Sequence, residues 1–193
     1  MKETIAKVLR EGAELRLQMI DSMTADIIGA AKAIADAFKA GRKILLFGNG
    51  GSAADAQHIA AEFMNRFLIE RPPLPAIALT TDTSILTSIS NDYAFDDVFS
   101  KQLKALGRKG DIAMGITTSG SSANVLKALR VAKKMGMITI ALLGDGGKAA
   151  SLADIALSVP SRNTPRIQEA HIAVGHMLCE LTDTILFREV GKR

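Results

Sequence analysis

The amino-acid sequence predicts an α/β fold: a doubly wound, five-stranded parallel sheet flanked by helices. Short continuous apolar runs, each followed by Gly, Ser, Thr, Asp or Pro, alternate along the chain with stretches of helical character. Strands that are apolar on both faces are typical of parallel sheets covered by helices on two sides. The length of 193 residues favours a single domain. We divide it into a helical N-terminal segment (1–40), an α/β core (41–160) and a C-terminal helix (161–193).

The first predicted element is a helix over residues 2–39. Apolar side chains recur there mostly every three to four positions, from Ile5 to Phe38, and the stretch contains no proline. Gly12 and Gly29 are expected to bend or break this helix, and Gly41 to end it.

Five strands are predicted next, from the apolar runs at 43–47, 76–79, 112–116, 137–143 and 155–159. The helices predicted between them cover 52–69, 83–90, 95–106, 122–135 and about 147–152. Three prolines within residues 71–75 are expected to end the helix that starts at residue 52, because proline lacks the N–H that a helix interior requires.

The last helix is predicted to begin at Thr164 as N-cap and Pro165 as first helical residue. An apolar seam follows at intervals of three and four residues: Ile167, His171, Val174, Leu178, Leu181 and Ile185. Apolar helices attached to an α/β core often form an oligomer interface, so we expect an oligomer; the alternative is that they cover the sheet of a monomer. His171 is expected in a core or interface, and Cys179 is expected to be buried and inert.

Composition excludes several classes of protein. A single cysteine rules out an internal disulfide framework, and the charges that interrupt the N-terminus do not fit a signal peptide. No stretch of about 18 uncharged apolar residues suggests a membrane span. The net charge of +4 suits a small anionic substrate, and the scarcity of aromatic residues does not favour nucleic acid. We therefore expect a cytoplasmic protein that binds neither membranes nor nucleic acid.

A glycine-rich loop, residues 47–52, directly follows the first predicted strand. Ser52 is expected to cap the next helix, with Asp55 completing a capping box. The free N–H groups at such a helix start bind anions or polar groups, and ligands of open α/β sheets bind beyond the carboxyl ends of the strands. A second interpretation is a dinucleotide fingerprint, formed by Gly48, Gly50 and Ala53 with Asp82 on a ribose. A plain strand-to-helix turn is the third.

A hydroxyl-rich loop, residues 117–122, follows the third predicted strand. Five hydroxyl side chains surround one glycine there, at the start of another helix. Hydroxyl groups together with free backbone N–H groups suit a phosphate monoester. A simple helix cap would need only one hydroxyl, and a dinucleotide site would need only the first glycine-rich turn. The loop therefore favours a phosphorylated ligand.

Two pairs of residues carry candidate acid/base or metal chemistry. His58 and Glu62 are four apart on one helix face and suit a metal or an acid/base couple, although a surface pair is the commoner arrangement. Gln168 and His176 are separated by about 12 Å of rise and about 80° of rotation on an ideal helix. If both serve one small site, the helix must be distorted or two subunits must contribute.

Four segments together resemble the bacterial phosphoheptose isomerases of the sugar isomerase (SIS) superfamily. They read GNGGSAADAQHIAAEF, ALTTDTSILTSISNDY, GITTSGSSANV and TPRIQEAHIAVGHMLCEL, and the match spans about residues 40–188. The resemblance implies a single SIS domain, a homotetramer with active sites between subunits, and one zinc ion per subunit. It also implies interconversion of sedoheptulose 7-phosphate and D-glycero-D-manno-heptose 7-phosphate, the first step toward the activated heptoses of lipopolysaccharide and other surface glycans.

The resemblance also implies roles for individual residues. Glu62 would be the base that moves a proton between C1 and C2, and His176 its acid/base partner. The sugar end would be held by Asn49, Gly50, Gly51 and Ser52. The phosphate would be held by Thr117, Thr118, Ser119 and Ser122. Substrate hydroxyls would be contacted by Asn91, Asp92 and Gln168. The zinc ligands would be His58, Glu62, Gln168 and His176.

One position departs from the family pattern. Some members carry an acidic residue where this chain has Pro165, so any substrate contact by that side chain is absent here. The alternative function is that of a non-enzymatic SIS paralogue that binds the bacterial replication initiator protein. Gly51, Glu62 and His176 favour the enzyme, because a binding module has no need of a carboxylate and an imidazole aimed at one cavity.

Overall fold

The computed structural model describes residues 1–187. The strands are β1 (Ile44–Gly48), β2 (Ala76–Ala78), β3 (Ile112–Thr117), β4 (Ile138–Leu143) and β5 (Ile155–Ser158). The helices are α1 (Lys2–Lys39), α2 (Gly51–Met64), α3 (Thr83–Asp92), α4 (Val98–Leu106), α5 (Ala123–Lys134), α6 (Ala149–Leu152) and α7 (Thr164–Phe187). A 3₁₀ turn, Phe95–Asp97, precedes α4.

The sheet has five strands, all parallel, and helices on both faces. Every residue of β1 and of β3 is buried, which explains why these strands are continuous apolar runs. One core cluster packs α1, α2 and α7 against one face, around Ile59 and Val174. A second cluster packs α4 and α5 against the other, around Leu103 and Leu129. The predicted fold class is confirmed.

The strand order is β2-β1-β3-β4-β5. The chain first adds β2 on one side of β1 and then crosses over to add β3 on the other side. Gly48, the last residue of β1, lies opposite Ile116 of β3. The loops that follow these two neighbouring strands therefore leave the sheet side by side, at the point where the order reverses. Ligands of doubly wound sheets bind at such a switch point.

Two predicted element boundaries are wrong, and the break that was one expectation for α1 at its glycines does not occur. The helix predicted over 52–69 ends at Met64, well before the prolines. Its last turn is ended by the guanidinium of Arg71, which binds the carbonyls of Glu62 and Phe63. α1 runs through Gly12 and Gly29 as one helix. α7 includes Thr164 as its first residue, and the carbonyl of Asn163 accepts the first helical hydrogen bond from the Ile167 N–H. Residues 188–193 of the predicted C-terminal segment lie outside the described residues.

None of the helices within residues 1–187 combines the length and the apolar character that crossing a membrane requires.

His171 and Cys179 are both completely buried in α7, as the sequence predicts. Burial raises the pKa of Cys179 to about 12, with further contributions from Asp183 and Glu62, so the thiol is inert. Burial also lowers the pKa of His171 to about 4, opposed in part by the backbone of Leu143. Neither ring nitrogen of His171 has a well-formed hydrogen bond within the described residues. The imidazole is therefore a neutral core side chain.

We predict that His171 makes stability depend on pH. Its pKa is about 4 in the folded chain, against an ordinary value of 6.5. Between these values only the unfolded chain binds the proton, so the free energy of unfolding falls as pH is lowered from 6.5 toward 4, by up to about 3 kcal/mol. Urea unfolding at pH 7 and pH 5 measures the loss. His171→Gln, which does not titrate, should show a smaller difference between the two pH values; an equal difference would contradict the assignment.

Candidate active site

The loop after β1 starts α2 with a tight backbone turn. Gly50 is the N-cap residue and has φ +56°, a left-handed conformation that glycine adopts without strain. A Cβ on Gly48 would lie 2.8 Å from the carbonyl oxygen of Ile116, so β3 approaches the turn too closely for any side chain there. The predicted capping box is wrong, because Ser52 lies inside the first turn of α2 and no side chain caps this helix.

A reciprocal pair of amides joins the two loops. The Asn49 Nδ2 donates to the Asn124 Oδ1 at 2.9 Å, and the Asn124 Nδ2 donates back to the Asn49 Oδ1 at 2.8 Å. Asn124 is buried in the first turn of α5, whereas Asn49 is half-buried. Sequence analysis missed Asn124. The signal that could have found it is its place directly after the hydroxyl-rich loop, within the segment GSSANV.

A small polar cavity lies between the loops. Its volume is about 140 Å³, and it is lined by Asn49, Ser52, Ile116, Thr117, Thr118, Ser122 and Gln168. Ser122 is the N-cap residue of α5, yet its hydroxyl does not cap the helix. That hydroxyl lies 3.1 Å from the Thr117 Oγ1 instead. The cavity thus has hydroxyl groups beside a helix N-terminus, a combination that suits a phosphate.

Ser119 lies at the exposed tip of the same loop rather than in the cavity lining. Its Oγ accepts a hydrogen bond from the Ser121 N–H at 3.2 Å. Gly120 has φ +62°, and a side chain there would collide with the carbonyl of Gly146, so the loop is held against the loop after β4.

A second cavity, also of about 140 Å³, opens on the other side of Asn49. Its lining is Gly48, Asn49, Gly50, Ala53, Thr80, Leu86, Phe95 and Phe99. Asp82, the ribose ligand of the dinucleotide interpretation, caps α3 by accepting from the Ile85 N–H. Asn91 and Asp92 lie at the exposed C-terminal end of α3, where the Asn91 Nδ2 donates to the Asp92 Oδ1. Neither of these two residues lines the cavities at Asn49.

His58, Glu62 and His176 converge in one chain. The Glu62 Oε1 lies 3.1 Å from the His58 Nε2, as expected for residues one turn apart on α2. The His176 Nε2, from α7, lies 3.4 Å from the same His58 atom. Phe67 packs against the His176 ring with centroids 5.2 Å apart. All three donor atoms lie within 4.8 Å of one another.

This donor set fits a divalent metal ion. Two imidazoles and a carboxylate are a known zinc ligand set, and tetrahedral bonds of about 2.0–2.1 Å place neighbouring donors about 3.3–3.4 Å apart. The observed separations of 3.1 and 3.4 Å match that spacing. One chain therefore offers three of the four predicted zinc ligands. His58 is the most exposed of them, while Glu62 and His176 are half-buried, so the group is accessible from solvent.

Gln168, the fourth predicted ligand, is not part of this group and lines the polar cavity instead. Its side-chain amide packs against the Cα of Gly51 so closely that a Cβ at Gly51 would collide with it. The structure thus places Gln168 between the hydroxyl-rich loop and the start of α2. This position also accounts for glycine at residue 51, which is not required by a positive φ.

Asp55 lies one turn before His58 on α2 and was not predicted as a site residue. Its Oδ2 is buried without a hydrogen-bond partner among the described residues. Burial raises the pKa of this carboxyl, and the charge of His58 partly opposes the shift. The sequence offers a signal for this residue, because Asp55 is a carboxylate three positions before His58 on the same helix. The sequence analysis assigns it to the capping box instead.

A model of the SIS domain family matches residues 9–144 of this chain. A phosphoheptose isomerase of Aquifex aeolicus is 54% identical over 187 residues, which cover 96% of this chain and 98% of the relative. A phosphoheptose isomerase of Thermodesulfovibrio yellowstonii is 53% identical over 188 residues, covering 97% and 94% of the two chains.

Solved structures agree with these relatives. A phosphoheptose isomerase from Francisella tularensis superposes with a TM-score of 0.91 at 40% identity, covering 94% of this chain and 97% of that one. One from Neisseria gonorrhoeae superposes with a TM-score of 0.90 at 45% identity, covering 95% and 98%. Because the family model and these relatives and solved structures together match nearly its whole length, this chain belongs to the SIS domain family and, within it, to the phosphoheptose isomerases.

Proposed function

We propose that the protein is an aldose–ketose isomerase that converts sedoheptulose 7-phosphate to D-glycero-D-manno-heptose 7-phosphate through an enediol. The observation that carries the proposal is the convergence of Glu62 with two imidazoles near a hydroxyl-lined cavity. The family relationship supplies the substrate. This reaction is the first step toward nucleotide-activated heptoses for lipopolysaccharide and other surface glycans.

Glu62 and His176 are the proposed catalytic residues. Glu62 accepts the proton from C1 of the ketose while His176 protonates the C2 oxygen, which gives the enediol. Glu62 then returns the proton to C2 while His176 takes the proton from the C1 oxygen, which leaves the aldehyde. Each step needs a base and an acid within hydrogen-bond reach of neighbouring atoms. The half-buried positions of both side chains suit that exchange.

The hydroxyl-rich and glycine-rich loops are proposed to bind different parts of the substrate. Thr117, Thr118, Ser119 and Ser122 are proposed to bind the phosphate with the N-terminus of α5. Asn49, Gly50, Gly51 and Ser52 are proposed to hold the sugar end, with Gln168 on a hydroxyl. Asn91 and Asp92, exposed at the end of α3, are proposed to reach substrate in a neighbouring subunit.

We also propose one zinc ion per subunit, held by His58, Glu62, His176 and Gln168. Zinc bound there would polarise the substrate carbonyl as a Lewis acid. Glu62 would then be a weaker base than a free carboxylate, because coordination withdraws charge from its oxygens. His176 would bind the ion through one ring nitrogen and could exchange protons only through the other.

The proposed assembly is a homotetramer in the cytoplasm. Its support is the apolar surface that a single chain leaves exposed. On α1 the exposed side chains include Ile5, Leu9, Leu17 and Ile20. Every residue of α3 is at least partly exposed, and Tyr93 and Phe95 beside it are more than half exposed. Large exposed apolar side chains in such numbers are typical of protein interfaces.

We expect Glu62→Gln and His176→Gln each to lower kcat by at least about 10²-fold, the contribution of a positioned acid or base. Turnover is measured by NMR in deuterium oxide, where the wild type should also place deuterium at C2 of the aldose. Light scattering checks that the variants keep the wild-type assembly. A near-wild-type rate in either variant removes that residue from the mechanism. No turnover by the wild type would favour the binding-protein alternative, in which the replication initiator protein is the ligand.

Removal of metal should abolish or strongly reduce turnover. Dialysis against a chelator is expected to lower kcat, and stoichiometric zinc to restore it, because the donors at His58, Glu62 and His176 are spaced for one ion. Atomic absorption measures the zinc content, and His58→Gln serves as a variant that should no longer retain zinc. Full activity in metal-free protein would contradict the zinc proposal and leave the acid/base proposal intact.

Ser122→Ala should raise the KM for sedoheptulose 7-phosphate about tenfold with little change in kcat. A hydrogen bond to a charged group contributes about 1.5 kcal/mol, and the Ser122 hydroxyl lines the polar cavity. Ser121→Ala, in the same loop but exposed, is the matched control and should leave KM unchanged. The phosphate assignment fails if Ser122→Ala lowers kcat alone, or if both variants behave alike.

A further inference from the structure

Arg71 lies in the loop between α2 and β2, and its side chain is completely buried. Its Nε donates to the Asp183 Oδ1 of α7 at 2.9 Å. Its two remaining nitrogens donate to backbone carbonyls around the end of α2. Those acceptors are the carbonyl oxygens of Glu62, Phe63, Asn65 and Pro72.

This buried ion pair joins the two helices that carry the reactive side chains. Arg71 Nη2 donates to the carbonyl of Glu62 itself at 2.8 Å. Asp183 lies about two helical turns beyond His176 on α7. α2 and α7 also pack closely one residue before His176, where a Cβ on Gly175 would collide with the side chain of Ile59. One guanidinium and one carboxylate thus connect the end of α2, at Glu62, with α7 beyond His176.

Stability alone does not account for this pair. A buried ion pair is often no more stabilising than apolar residues of the same volume. Asp183 also keeps its Oδ2 without a hydrogen-bond partner among the described residues, which is costly. Apolar residues would not fix the orientation of the surrounding chain. The planar guanidinium group holds five acceptor oxygens, on α7, at the end of α2 and in the following loop, in fixed positions relative to one another.

We propose that Arg71 and Asp183 are positioning residues that set the separation between Glu62 on α2 and His176 on α7. Their effect on turnover rests on the proposed isomerase function. Their effect on the geometry of the His58, Glu62 and His176 group does not, since that group offers a metal site whatever the reaction. A cobalt ion bound there measures the geometry directly, because its absorption intensity reports a tetrahedral site.

The experiment compares Arg71→Lys and Asp183→Asn with a matched control, Asp111→Asn. Asp111, whose side chain is buried, forms an ion pair with the partly buried Lys43 at 2.6 Å. That pair lies at the amino ends of β1 and β3, whereas the site lies at the carboxyl ends of these strands. All proteins are assayed well below their measured Tm. The readouts are kcat, the KM for sedoheptulose 7-phosphate, and the Kd and absorption of Co²⁺.

We expect the Arg71 and Asp183 variants to bind Co²⁺ about tenfold or more weakly, as changes behind metal ligands do. Their kcat should fall about tenfold or more, because small displacements of reacting groups are costly. Their KM should stay within about threefold, since the hydroxyl-rich loop follows β3 and does not touch the ion pair. Asp111→Asn should lower Tm but leave Co²⁺ affinity and kcat near wild type.

Two results overturn the proposal. The first is that Arg71→Lys and Asp183→Asn both keep Co²⁺ affinity and kcat within about twofold of wild type. The second is that Asp111→Asn loses as much Co²⁺ affinity and kcat as they do. Where Arg71→Lys does not fold, Asp183→Asn, which keeps the size of the side chain, decides. A wild type that binds Co²⁺ without turnover refutes the isomerase, and the Co²⁺ titration still decides the positioning role. A wild type that shows neither contradicts both proposals.

Discussion

The pairing of β1 with β3 is the constraint on which the site depends. These strands lie side by side in register, with Gly48 opposite Ile116, although β2 separates them in the sequence. Because parallel strands end at one edge of the sheet, the glycine-rich and hydroxyl-rich loops emerge as neighbours. The amide pair of Asn49 and Asn124 then fastens one loop to the other. A strand order in which β1 and β3 were not neighbours would separate the two loops.

The site has two ends of different chemistry. The end beside α5 offers hydroxyl groups and backbone N–H groups, a combination that suits a phosphate and is proposed to bind it. The end beside α7 concentrates the carboxylate of Glu62 with the imidazoles of His58 and His176. Gln168 lines the polar cavity at the first end, against Gly51. In the proposed function, this division would keep acid/base chemistry at the carbonyl end of the sugar phosphate and phosphate binding at the other.

The sequence predicted those parts of the site that depend on local spacing. His58 and Glu62 share a helix face because they are one turn apart, and the structure confirms their contact. Both loops were recognised because each directly follows an apolar strand. Arg71 was missed as a structural residue, since its partner Asp183 is 112 positions away and no local pattern connects them. For the same reason the predicted end of α2 is wrong. Arg71 binds carbonyls in the last turn of this helix, and no local pattern in the sequence indicates that contact.

Hydrophobic period, turn residues and motif order by themselves determined the fold class, the approximate strands and the chemistry of the two loops. These are short-range properties, because helices and strands repeat their burial pattern every few residues. The tertiary structure alone decided the strand order and the approach of His176 to His58 across 118 positions. It also decided that three of the proposed zinc ligands meet within one chain. These contacts depend on the packing of α7 against α2, where Gly175 leaves space for the side chain of Ile59. Such packing involves residues that are far apart in the sequence, so no local pattern predicts it.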